Sequence, residues 1–220
     1  MRVYQNNDSW VIESFLDDDL IEEIKIIIQD NLDNLPNYKE GYSTEGKNVE
    51  QYWIIDHQKK FFIEDSRFFK FEERYRNKIL NTIKESTIFD PERQEKIKLN
   101  GLNAWTVIGE ENSYHTIHCH NEGGFQGIST IVYLEVPETN IEYNPENNIF
   151  LATSVAPKNP YYYKNVSYLH INPEVGKLLI FPDWILHGTY PQTKGIRQSF
   201  NIDYALDTIK EDKLEKLSYH

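Results

Sequence analysis

Apolar residues recur at helical spacing in the first part of the chain and at strand spacing past Pro91. Leu20, Ile21, Ile24, Ile27, Ile28 and Leu32 fall on one face of a helix predicted over 17–35. Asp17, Asp18 and Asp19 supply a cap and negative charge for its positive end, and Pro36 stops it. A second helix is predicted over 65–84, with Phe69, Tyr75, Ile79 and Ile83 on its buried face. The polar stretch between them, 37–60, reads as a loop region with one short strand at 52–55. Candidate strands follow at 102–108, 129–136, 149–151, 168–171, 177–181 and 199–206, separated by glycines and prolines. Many short strands without intervening helices predict a mainly β fold, an antiparallel sandwich or jelly roll with N-terminal flanking helices. The expected organisation is a helical supporting region at 1–95, a jelly-roll core at 96–206 and a short charged surface helix within 207–220. All of it forms a single domain, since 220 residues suffice for one sizeable core.

Composition narrows the function classes. Fifteen Tyr and eleven Phe suit a β-rich core of wide, flat side chains. A formal net charge of −12 repels nucleic acid and anionic membranes, so neither is an expected partner. One cysteine, Cys119, excludes an intrachain disulfide and a cysteine-based zinc site. The start, MRVYQNNDSW, lacks the apolar run of a signal peptide, and no stretch approaches the roughly 18 apolar residues of a spanning helix. A soluble, cytoplasmic setting is the expectation.

Four of the seven histidines are informative. His115, His118 and His120 lie together in SYHTIHCHNEGG, and His187 lies in FPDWILHGTYP. Residues two apart in a strand share a face, so His118 with His120, or His120 with Glu122, could present two ligands to one metal. His187 is the candidate third. A lone strand histidine is ordinarily structural or exposed, and His57, His170 and His220 are read that way. Three within six residues, flanked by glycines, point instead to a metal, and three imidazole or carboxylate ligands on one side of Fe(II) leave positions open. Cys119 alternates away from the histidines and is expected to be buried and inert.

Arg197 is the only arginine after Arg93, and it lies ten residues beyond His187 in GIRQSFNIDY. A guanidinium grips a carboxylate bidentately, and a hydroxyll at Ser199 on the same strand face adds a hydrogen bond. Together they could hold the far carboxylate of a dicarboxylic acid whose other end chelates the metal. Trp105, Tyr114 and Asn103, on strands entering the site, are candidates to line the co-substrate pocket. Phe181 and Trp184 are expected beneath His187.

The segments WTVIGEENSYHTIHCHNEGGFQGISTIVYLEVPE and GKLLIFPDWILHGTYPQTKGIRQSFNIDY resemble the Fe(II)/2-oxoglutarate-dependent oxygenase superfamily. The nearest likeness is to its subgroup with an H-x-H element, a distal His after a Gly-x-Leu-Leu-x-Phe-Pro strand, and an Arg-x-Ser strand. The resemblance covers roughly 100–206 and implies a double-stranded β-helix with Fe(II), 2-oxoglutarate and O2. It implies His118, His120 and His187 at the metal and Arg197 and Ser199 on the co-substrate. The widespread superfamily pattern is His-x-Asp or His-x-Glu, which keeps Glu122 as the rival second ligand. The implied activity is hydroxylation of a C–H bond in a small-molecule or peptidyl substrate, with release of succinate and CO2. A three-histidine, cupin-like dioxygenase and a non-catalytic jelly-roll binding protein are the alternatives. The Arg197–Ser199 pair distinguishes the first of these, which has no need of a carboxylate clamp.

Overall fold

The computed structural model describes residues 1–6, 9–31, 46–56, 61–62, 66–120, 127–137, 148–152 and 168–208. In chain order the elements are β1 (Arg2–Asn6), β2 (Ser9–Phe15), α1 (Asp18–Asn31), β3 (Gly46–Asp56), β4 (Phe61–Phe62), α2 (Ser66–Ser86) and α3 (Pro91–Lys96). Then follow β5 (Ile97–His115), β6 (Gly127–Glu135), β7 (Ile149–Ala152), β8 (Tyr168–Ile171), β9 (Lys177–Pro182), β10 (His187–Thr189) and β11 (Arg197–Thr208). Eight strands form one sheet in the order β1-β2-β9-β6-β11-β5-β3-β4, and β10-β7-β8 form a second. Every pairing is antiparallel. This is the jelly roll that the short strands predict.

The alternation of strand side chains splits the apolar residues into two layers. Ile12, Ala104, Ile128, Val132, Ile180, Phe200 and Ile202 point from the large sheet onto the two helices. Val11, Ile131, Tyr133, Leu179 and Phe181 point the other way and meet Ile149, Leu151 and Ile171 of the small sheet. The helices therefore brace the outside, and the space between the sheets belongs to the second layer. Leu20, Ile21, Ile24, Ile27 and Ile28 of α1 are buried as their spacing predicts. On α2 the buried face is Phe68, Phe71, Tyr75, Ile79 and Ile83, while Phe69 is exposed. Phe69 lies a residue off the three-and-four spacing that the other five obey.

Two boundaries differ from the expected organisation. The first 95 residues contribute β1 to β4 to the large sheet as well as helices. A short apolar run such as Trp10–Ile12 carries no periodicity to tell a strand from a buried turn of helix. At the other end β11 continues to Thr208, and the surface helix expected in 207–220 otherwise lies outside the described residues. So does most of the stretch between β6 and β8.

One irregularity in β5 shapes everything downstream. β5 pairs with β11 up to Gly109 opposite Arg197. Along β3 the register then jumps, from Val49 opposite Gly109 to Lys47 opposite Tyr114. Residues 110–113 are a bulge in which Asn112 adopts φ 63°, and bulges bend a strand out of its sheet. The Gln192 side chain bridges the mouth of this bulge. Its amide nitrogen donates to Gly109 O (2.9 Å) and Gly195 O (2.8 Å), and its oxygen accepts from Ser113 Oγ (2.7 Å). Backbone bonds from Asn112 N to Gln192 O and from Gln192 N to Ser113 O complete the clasp. Past it, residues 114–118 run beside β10 instead of β11.

Gln192→Leu keeps the volume and leaves the buried Gly109 carbonyl and Ser113 hydroxyl unpaired, so it should destabilise the protein by at least about 2 kcal/mol, read as a lower denaturant midpoint. A second test concerns the ion pair joining β2 to β9, where Glu13 meets Lys177 at 3.0 Å and accepts from Tyr4 at 3.0 Å. Burial pushes the Glu13 carboxyl up, but bonding to Lys177 and Tyr4 outweighs it and holds the group below its ordinary value. Its stabilisation is thus present above about pH 4.5 and lost as pH falls through the lower folded value. Glu13→Gln should cost about 1.5–3 kcal/mol at pH 7 and progressively less under acid conditions, measured by unfolding at a series of pH values.

Candidate metal centre

The arm that leaves the β5 bulge lies against β10 through a reciprocal bridge. His118 N donates to His187 O at 2.9 Å and His187 N to His118 O at 2.8 Å. The arm fits so closely because residue 188 is glycine. A Cβ there would stand 2.6 Å from the Phe150 ring and 2.9 Å from the carbonyl oxygens of His115 and Thr116. Residues opposite each other in an antiparallel pair share a face, and the rings of His118 and His187 lie 4.4 Å apart. His120, anchored by its backbone N on Asp183 O, adds a third ring 5.3 Å from His118 and 4.9 Å from His187. One ligand atom from each of the three lies within 4.8 Å of the others. Three nitrogens about 2.1 Å from one ion stand closer than this, so an adjustment of about an ångström per ring closes the set.

The hydrogen bonds fix which nitrogen faces inward. His118 Nδ1 bonds to Thr116 O and His187 Nδ1 to Ile185 O, both at 2.9 Å. His120 Nδ1 lies 3.0 Å from both Ser129 Oγ and Asp203 Oδ1. Carbonyl and carboxylate oxygens accept only, so each ring carries its proton on Nδ1 and its lone pair on Nε2, the form a metal takes. Burial, with repulsion from the neighbouring imidazoles, holds His118 down to about 4 and His187 well below its ordinary value. Imidazole nitrogens gathered this closely are the donor set an iron or zinc ion requires, and the residues present fit such an ion. Trp105 meets the His120 ring edge-on at 5.3 Å and Phe181 meets His187 at 5.0 Å, which locks both rings in place. Phe181 thus lies against the distal histidine as expected, and Trp184 packs half-buried on the same apolar layer.

β11 carries the second group. Arg197, Ser199, Asn201 and Asp203 alternate onto the inner face, and Phe200 and Ile202 face the helices. Arg197 is buried and donates from Nη2 to Thr189 Oγ1 at 2.9 Å, two residues past His187. Burial pushes its guanidinium below its ordinary value, with Tyr133 on the neighbouring strand β6 opposing the shift. Ser199 lies opposite Tyr133 and accepts from Asn201 Nδ2 at 3.3 Å. His115 joins the two clusters. Its ring is 5.6 Å from that of His118, and burial first, then the charges of His118 and Arg197, bring it to about 3.

The remaining candidates spread out. Trp105 is buried between His120 and Trp53, 5.2 Å from the latter. Tyr114 is half-buried at the start of the arm, opposite Lys47. Asn103 sits on β5 opposite Asp203, at the metal end of the strand and not beside Arg197. Cys119 is half-buried, not enclosed as expected, because the arm carrying it runs along the rim of the small sheet. Glu122, the rival ligand, lies outside the described residues.

Sequence reasoning passed over Asp203, Ser129, Thr189 and Gln192. The strand alternation that pairs Arg197 with Ser199 also reaches Asp203, so a signal for that residue existed. The others are common polar residues whose roles come from pairing distant in sequence.

No curated protein matches the chain. Among solved structures, a prolyl-4-hydroxylase from Pseudomonas putida superposes with a TM-score of 0.56 at 10% identity, covering 89% of this chain and 91% of that one. A prolyl hydroxylase from Trichoplax adhaerens, in complex with a hypoxia inducible factor oxygen degradation domain peptide fragment, gives 0.56 at 13% identity, covering 91% and 84%. A non-heme alpha ketoglutarate dependent epimerase from nogalamycin biosynthesis gives 0.59 at 11% identity, covering 89% and 76%. Residues 103–203 match the model of the family described as "Putative 2OG-Fe(II) oxygenase". That segment holds all three clustered histidines, Arg197 and Asp203, and over it the chain is similar to that family.

Proposed function

We propose that the protein is an Fe(II)- and 2-oxoglutarate-dependent oxygenase that hydroxylates a C–H bond of an amino-acid, peptidyl or small-metabolite substrate. The observation that carries this reading is the pairing of two clusters. Three imidazoles whose Nδ1 atoms are engaged elsewhere lie at one end, and a buried guanidinium held by Thr189 lies beside them. His118, His120 and His187 would hold the iron, and Arg197 with Ser199 would hold the far carboxylate of 2-oxoglutarate. Iron with 2-oxoglutarate and O2, when bound, would supply the oxidation, one oxygen atom of O2 going to succinate, formed with CO2, and the other to the substrate C–H bond.

The chain's own residues do the positioning. Arg197 offers a planar fork, preorganised by its bond to Thr189, that fixes the co-substrate's orientation. Trp105, Phe181 and Tyr133 exclude water around the clusters, which strengthens the charge–charge contacts inside. Tyr133 is fully buried and pushed up to about 12 by burial, so its hydroxyl stays protonated and can donate toward the co-substrate carboxylate. The prolyl hydroxylases among the structural relatives favour a peptidyl side chain as the first substrate class to test, and the epimerase among them makes the reaction outcome a separate question.

In an anaerobic Fe(II) titration of the metal-free protein, adding 2-oxoglutarate should produce the weak visible charge-transfer band of a chelated 2-oxo acid. Arg197→Ala should raise the 2-oxoglutarate concentration needed for half the band by about 10-fold or more, and His187→Ala should abolish the band. Tight Fe(II) binding without a band would indicate a three-histidine dioxygenase instead, and no Fe(II) binding would leave a binding protein on the same shell. With iron and 2-oxoglutarate established, succinate release measured across prolyl peptides, free amino acids and small metabolites should rise above the substrate-free rate for one class.

A further inference from the structure

The three imidazoles differ in what they lean on. His118 and His187 donate from Nδ1 to backbone carbonyls, which are neutral, whereas His120 faces the carboxylate of Asp203. β11 is clamped between β5 and β6 at this point, with Asp203 opposite Asn103 on one side and Ser129 on the other. A register shift follows directly, between Asp203 and Tyr204, and such irregularities re-aim side chains at a strand end. Asp203 is buried at 6% exposure. A carboxylate there is costly unless something positive or strongly hydrogen-bonding meets it, and the His120 ring does.

This geometry has a chemical consequence that rests on the metal-centre reading above. Among the described residues the cluster at the centre is made of imidazoles alone. We propose that Asp203 is a positioning residue that supplies negative charge to the centre indirectly, by accepting the Nδ1 proton of His120 and making its Nε2 a stronger donor to the metal. An imidazole bonded to a carboxylate lies part way toward imidazolate, so the ion would gain anionic character through the ring. Ser129 Oγ, at the same distance, helps orient the ring and brings no charge.

Metal binding tests this without any turnover. The metal-free protein is titrated with Co(II), followed by its visible absorption, for wild type, Asp203→Asn, Asp203→Glu and Ser129→Ala. Asp203→Asn keeps the shape and an acceptor oxygen but removes the charge. It should weaken Co(II) binding about 10–100-fold while leaving the melting temperature of the metal-free protein close to wild type. Asp203→Glu should recover part of the loss, and Ser129→Ala should change affinity by less than about threefold. Wild-type binding with Asp203→Asn unchanged, or Ser129→Ala as damaging as Asp203→Asn, overturns the inference alone. A wild-type protein that binds no Co(II) overturns the metal-centre reading beneath it. A measurement without variants runs in parallel: in the Zn(II)-loaded wild type, the Nδ1 proton of His120 should resonate downfield of those of His118 and His187. Three coincident resonances would refute the carboxylate's role.

Discussion

Two backbone hydrogen bonds between His118 and His187 hold the centre together. They join the arm beyond β5 to β10, at positions 69 residues apart in the chain, and put two rings on one face at 4.4 Å. Without that bridge the H-x-H element and the distal histidine would be unrelated stretches of strand. The bridge in turn depends on the arm reaching β10, which requires β5 to abandon β11 at Gly109. The bulge at 110–113 makes the corner, the Gln192 amide holds it at that angle, and Gly188 lets the two backbones come close enough to bond.

The same neighbourhood sets the electrostatics. Packing the imidazoles among Phe181 and each other penalises protonation of His118 and His187, so these two are kept as neutral donors. Nδ1 acceptors on all three then dictate where the lone pairs point. Charge enters at two places along one face of β11: Arg197 at one end, beside Thr189, and Asp203 at the other, beside His120. A positive and a negative group are thus set apart by strand geometry, about 20 Å over six residues of extended backbone, with side chains reaching inward from each.

The helices have no part in this chemistry, yet they decide which face of the sheet is available for it. Because α1 and α2 cover Val132, Ile180, Phe200 and Ile202, the opposite alternation is left to line the space between the sheets. One slip in the register of β11 would turn Arg197, Ser199 and Asp203 onto the helices. The dense apolar layer beneath the helices therefore protects the orientation of the polar one.

Residue type and local period were enough to determine much of this from the chain alone. Helical spacing located α1 and most of α2, alternation located six strands of the jelly roll, and three clustered histidines with an isolated Arg-x-Ser marked the candidate site residues. These signals are local: they need only neighbours within one helix turn or one strand. The tertiary structure alone decided which atoms of those residues meet. Nothing near Gln192 in sequence shows that it clasps Gly109 and Ser113, and nothing near Asp203 shows that it faces His120, because each contact closes a loop of about eighty residues. Strands β1 and β2 were equally illegible, since a run as short as Trp10–Ile12 acquires its identity only from the partner it pairs with. Side-chain chemistry is written in order along the chain, whereas the juxtaposition that makes it a centre depends on long-range strand register, which no local pattern encodes.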